Sequence, residues 1–162
     1  MLNVNEKLIE KLKEKGIDIN DVLLDVLSRE DPTESSKERI EYAERYLEEC
    51  KQYIQRKDPV QASEKAYKVA EEVVKALAEK FKTNEYEEFL REGRWYTYLL
   101  GKASKTLSKK LGYWILEGWS VAYDLHVWGF HEKKYSIDDV VVSIKKIEDM
   151  LNEAKNIIRF NS

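Results

Sequence analysis

Only two prolines interrupt this chain, and each directly follows an aspartate, at Asp31-Pro32 and Asp58-Pro59. Proline pushes the residue before it out of helical geometry, so each pair closes one helix and opens another. The aspartate can accept a hydrogen bond from a free backbone N–H of the new helix, and proline is tolerated at its first position, where the missing donor removes nothing. Around these two stops, apolar residues recur every three or four positions. Ile40, Ala43, Leu47, Cys50 and Ile54 form one seam over residues 34–56, with Thr33 or a nearby serine expected as its cap. Ala62, Ala66, Val69, Val73, Leu77 and Phe81 form the next, over residues 59–81. Because only Lys57 and Asp58 separate the two, they are expected to fold back as an antiparallel αα-hairpin.

The same spacing continues. Residues 83–93 read as a charged turn or short helix. A third long element is expected over 94–126, through Leu100, Ala103, Leu107, Leu111, Ile115, Trp119, Ala122 and Leu125, with a bend or break at Gly112. Ser136 and Asp139 make a capping box in its acidic form, opening a last helix with Ile137, Val140, Val141, Ile144, Ile147, Leu151, Ala154 and Ile158 on its apolar side. Residues 1–30 carry two short apolar rows, Val4, Leu8 and Leu12, then Val22, Leu23, Val26 and Leu27. Gly16 closes the first helix, and Asp18 or Asn20 caps the second. Helices so short need tertiary packing, in cis or on a second copy. The expected fold is all-α: an antiparallel four-helix up-and-down bundle over 31–162, preceded by a helical extension over 1–30.

Composition agrees. Six glycines in 162 residues are too few for the many turns of a β sandwich, and 36% charged residues exclude a membrane-embedded chain. With 28 basic and 31 acidic side chains the net charge is -3, so a nucleic-acid role would need a local patch. One cysteine, Cys50, cannot form an internal disulfide; with no leader signal or membrane-length apolar run, a cytoplasmic location is expected. The abundance of glutamate and lysine fits a hot-living source. Glu64-Lys65, Glu71-Glu72 and Lys75 read as surface ion pairs.

Both histidines fall in one segment, Leu125-His126-Val127-Trp128-Gly129-Phe130-His131-Glu132, following Trp119 and Ala122. This run, together with Asp58-Pro59-Val60-Gln61-Ala62-Ser63-Glu64-Lys65-Ala66, resembles the archaeal PaREP proteins from about residue 34 to the C-terminus. Those are in turn similar to the HEPN superfamily of helical bundles. The resemblance implies a bundle, often dimeric, among whose relatives are RNA-cleaving toxins and partners of nucleotidyltransferases. Catalytic HEPN nucleases carry an arginine and a histidine with four to six residues between them. Here those positions hold Trp119, Ser120 and Val121 before His126, and Asp124, Leu125 and His126 before His131. A lone histidine without a fixed cation is a poor ribonuclease site.

His126, His131 and Glu132 are the candidate catalytic residues. A metal reading would join the two histidines to Asp124 or Glu132, but five α-helical residues turn side chains about 140° apart, so it needs the helix to end near Gly129. No metal and no cofactor is therefore expected. The simpler reading has the histidines closing a helix C-terminus, where an imidazole meets free carbonyls. Trp119 and Trp128 are candidate binding residues, with Lys102, Lys105 and Lys109 on one side of a helix, where lysines could meet phosphates and aromatics could stack on bases. Fourteen tyrosines and tryptophans are generous for one small core, so a homodimer is expected. The favoured function is a non-enzymatic interaction module with a protein partner, ahead of nucleic acid. The alternatives are an RNA-binding or RNA-cleaving protein with a non-standard histidine motif, which clustering of the histidines beside lysines would favour, and a partner subunit of a nucleotidyltransferase.

Overall fold

A computed structural model describes residues 5–160, and every regular element among them is helical. In chain order these are α1 (Glu6–Glu14), α2 (Ile19–Glu30), α3 (Pro32–Gln55), α4 (Pro59–Phe81), α5 (Asn84–Glu92), α6 (Thr97–Leu111), α7 (Trp114–Asp124), a π-helical segment (Leu125–His131) and α8 (Ile137–Phe160). Both aspartate–proline starts act as the residues dictate. Asp58 accepts from the Gln61 amide, and Asp31 accepts from the Glu34 amide with Pro32 at the first position. The cap of α3 is thus Asp31 rather than Thr33 or a serine, and the helix begins before residue 34. Lys57, in the left-handed region at φ 58°, turns the chain between α3 and α4.

Helix α4 lies at the centre, packed against α3, α5, α6, α7, the π segment and α8. Its small residues Ala62, Ala66, Ala70, Ala76 and Ala78 are wholly buried and let neighbouring helices approach closely. The element expected over 94–126 is three pieces. The buried ring of Trp95 stacks on Phe89, and Tyr96 is extended, so α6 starts only at Thr97. Gly112, at φ 125° and ψ 158°, then breaks the helix in a conformation that side chains resist. The final helix opens on the expected capping box, with Ser136 and Asp139 bonded reciprocally. Val141, expected on the apolar side of α8, is instead exposed.

The N-terminal helices dock in cis, but not through the expected apolar rows. Leu8, Val22, Leu23 and Val26 are exposed, and Val4 lies outside the described residues. Helix α2 packs on α3, where the Leu24 carbonyl accepts from the Ser35 hydroxyl, and the Ser28 carbonyl accepts from the Tyr86 hydroxyl of α5 at 2.8 Å; Asp18 and Asn20 accept from the hydroxyls of Tyr46 and Tyr42, each at 3.2 Å.

The strongest of these ties is Arg39, whose guanidinium is fully buried. It donates to Glu79, to Glu72 at 3.0 Å and to Asp25 of α2 at 2.9 Å. Burial opposes its charge, but Glu72, Glu79 and Asp25 overcome that and raise its pKa. Glu72 and Lys75 are therefore parts of a buried charge cluster, a correction to their reading as surface ion pairs.

A candidate acid–base site

From Leu125 the chain leaves α-helical winding for the wider π turn, whose bonds run between residues five apart. The Glu132 amide, for example, donates to the Val127 carbonyl at 2.8 Å. Five residues separate His126 from His131, so the change of winding brings together two side chains that an α-helix would turn apart. Their Nε2 atoms lie 3.1 Å from each other. The helix does not end at Gly129; it runs to His131 and is closed by Lys133, left-handed at φ 55°.

Packing on α4 accompanies the π segment. Gly129 is buried, and a Cβ built on it would stand 2.2 Å from Ser63 Oγ and 2.7 Å from Ser63 Cβ. Only glycine lets the segment lie this close to α4. Gly129→Ala is expected to cost about 1–3 kcal/mol, since both backbones must move to relieve overpacking. Chemical denaturation with both variants in parallel checks this, with Ser63→Gly in the Gly129→Ala background recovering most of the loss.

On α4, Glu64 completes the site. Its Oε1 lies 3.0 Å from His126 Nδ1, and Tyr67, one turn on, stacks on the His126 ring at 4.0 Å between centroids. A carboxylate accepting from Nδ1–H sets the tautomer of the neutral ring and leaves Nε2 as its acceptor. His131 Nε2–H then donates to it. The result is a chain Glu64–His126–His131 leading from a half-buried carboxylate to an exposed imidazole. Two linked imidazoles can take a proton at one ring and give one at the other. His131 is the last residue of the helix, as the simpler reading has it, and the arrangement adds the contact between the two rings.

The other candidates divide. Glu132 is exposed and, among the described residues, makes no side-chain hydrogen bond or ion pair, so it does not join the histidines. Asp124 accepts from the Tyr135 hydroxyl at 2.6 Å, which pins the loop after the π segment and pushes the Tyr135 phenol up to about 12. Among the described residues no three His, Cys, Asp or Glu side chains are grouped to hold a metal ion. Trp119 is buried against Tyr67 and Tyr123, while Trp128 is 47% exposed. Lys102, Lys105 and Lys109 are exposed and have no ion-pair partner among the described residues. Glu64 was missed as a site residue: it bonds His126 rather than Lys65, whose partner is Glu49 at 2.9 Å. Lys65, Lys68 and Lys13 nevertheless line, with Glu64 and Phe130, an open groove of about 620 Å³.

A family model described as the archaeal PaREP1/PaREP8 family matches residues 38–151. Among solved structures, a crystal structure of a protein from Sulfolobus solfataricus is similar, at 34% identity and a TM-score of 0.66 over 71% of this chain and 94% of that one. No curated protein matches. No helix among the described residues is long and apolar enough to cross a membrane.

Proposed function

We propose that this chain, which belongs to the archaeal PaREP1/PaREP8 family, is a HEPN-like protein that cleaves RNA by proton exchange at His126 and His131. The observation that carries the reading is the Glu64–His126–His131 chain. It has an acid, a base and an orienting carboxylate, and among the described residues no serine, cysteine or threonine nucleophile is bonded to either ring. RNA is the substrate that brings its own nucleophile, the 2′-hydroxyl beside each phosphodiester.

The step balances as follows. His126 Nε2 takes the proton of the 2′-hydroxyl as its oxygen attacks phosphorus; the bond from phosphorus to the 5′ oxygen breaks, and protonated His131 gives that oxygen a proton. The products are a 2′,3′-cyclic phosphate and a 5′-hydroxyl. Glu64 touches no substrate in this scheme and is a positioning residue. The missing arginine of the HEPN nucleases leaves Lys13 of the adjacent groove to face the phosphate charge, since Lys65 there is paired with Glu49 and Lys68 with Asp21. The test is an end-labelled single-stranded RNA in chelator, with a 2′-deoxy copy beside it. Cleavage to cyclic-phosphate ends of the RNA alone supports the reading, and equal cleavage of both strands overturns it.

A homodimeric binding module is the second reading, favoured by Trp128 and by Val142, which is 75% exposed on α8. Light scattering is then expected to give twice the 19.2 kDa of one chain. A mass of one chain at micromolar concentration removes it.

A further inference from the structure

A second feature lies beside the histidines. Thr97, Tyr98 and Gly101 of α6 face Trp119 and Tyr123 of α7 across an open cleft of about 310 Å³. Tyr98 is 59% exposed and Tyr123 43% exposed, yet both rings are held. Tyr98 stacks on Tyr96 at 5.8 Å and donates to Glu88 at 3.1 Å; Tyr123 stacks on Trp119 at 6.2 Å. Exposed aromatic faces already fixed in place lose little freedom when a flat ligand enters.

The cleft is continuous with the acid–base site. Tyr123 stands 6.2 Å from His126 between ring centres, and Phe130 follows at 6.0 Å, so Trp119, Tyr123, His126 and Phe130 form one ladder of rings. The cleft is also continuous with positive charge. Tyr98, Lys102, Lys105 and Lys109 are spaced by four, three and four residues, which places the lysines along the same stripe of α6 as the cleft wall. None of the three lysines has an ion-pair partner among the described residues. Aromatic faces beside a row of free cations suit an unpaired base followed by its phosphates. A purely apolar partner would leave those charges unused.

We propose that this cleft is a stacking subsite for an unpaired base of single-stranded RNA, with Lys102, Lys105 and Lys109 meeting the phosphates that lead away from it. The substrate class rests on the RNA reading above; the subsite does not depend on the histidine chemistry. Duplex is disfavoured because its bases are stacked on each other and cannot enter.

The test is fluorescence anisotropy with a labelled single-stranded 2′-O-methyl oligonucleotide, which has no free 2′-hydroxyl and cannot be cleaved. Tyr98→Ala and Tyr123→Ala are each expected to weaken binding about tenfold, and Tyr98→Phe and Tyr123→Phe to restore it, since the ring and not the hydroxyl stacks. Replacing the three lysines by glutamine is expected to flatten the salt dependence. Wild-type affinity in both alanine variants, equal affinity for a duplex of the same length, or no binding by the wild type would each overturn the subsite. Binding that follows this pattern without RNA cleavage upholds the cleft and fails the histidine chemistry; cleavage indifferent to Tyr98 and Tyr123 does the reverse.

Discussion

Arg39→Met is expected to destabilise the protein by about 3–5 kcal/mol, enough to unfold much of it. Removing one partner of a buried ion pair strands the other: Glu79 and the more accessible Asp25 lose their cation, and Glu72 keeps only Lys75, 3.9 Å away. The loss has a definite pH dependence. Burial already holds the Glu79 carboxyl above its usual range, although Arg39 pulls it down. Without Arg39 it rises further. A raised carboxyl pKa means that the native state binds more protons than the unfolded chain, so the variant's stability falls as pH rises through the folded pKa. Chemical denaturation across pH is expected to show the deficit shrinking toward acid. Adding Glu72→Gln and Glu79→Gln to the arginine variant should recover part of it at neutral pH, because neutral amides are cheaper to leave without a cation. A deficit below 1 kcal/mol would mean that water reaches the cluster and that α2 is not held by it.

His126→Ala and His131→Ala are each expected to slow RNA cleavage by about 10²–10⁴-fold while leaving the fold intact. Both rings lie at the edge of the core, half-buried and exposed respectively, so truncation opens little interior space. The two losses should not add, since either ring alone leaves the transfer without a donor or without an acceptor. Glu64→Gln should cost less, about 10–100-fold, because an amide oxygen can still orient His126 Nδ1–H. A positioning role shows as a lower kcat with KM unchanged, and Glu64→Asp, which keeps a carboxylate on the same turn of α4, should recover part of the loss; a merely structural role would lower the amount of folded protein and leave kcat per folded molecule as in the wild type.

Much of the fold is legible in the order of residues because its signals are local. Asp58-Pro59 and the two seams on either side specify the α3–α4 hairpin, and Ser136 with Asp139 specifies the start of α8. The buried charge cluster was not legible. Arg39 sits beside Ile40 on the seam, but its partners come from α2 and α4, and no local pattern distinguishes an arginine that will be buried from one on the surface. The candidate site shows the same limit. The histidine segment was conspicuous, yet α-helical winding would keep His126 and His131 apart. The π turn goes with a contact far off in sequence, where Gly129 lies against Ser63 of α4. Glu64 is 62 residues from His126 and reads locally as one more charged residue of a helix. Its one clue was its place in the segment after Asp58-Pro59, which the family resemblance had already singled out.

The central claim is that the two histidines act as one acid–base unit on RNA. Single-turnover cleavage of an end-labelled single-stranded RNA, in chelator, by the wild type and by the His126→Ala/His131→Ala double variant tests it most directly. The account predicts cyclic-phosphate products from the wild type and a loss in the double variant no larger than about 10⁴-fold, close to that of either single variant. Undiminished cleavage by the double variant, or an RNA left whole by the wild type, would contradict it.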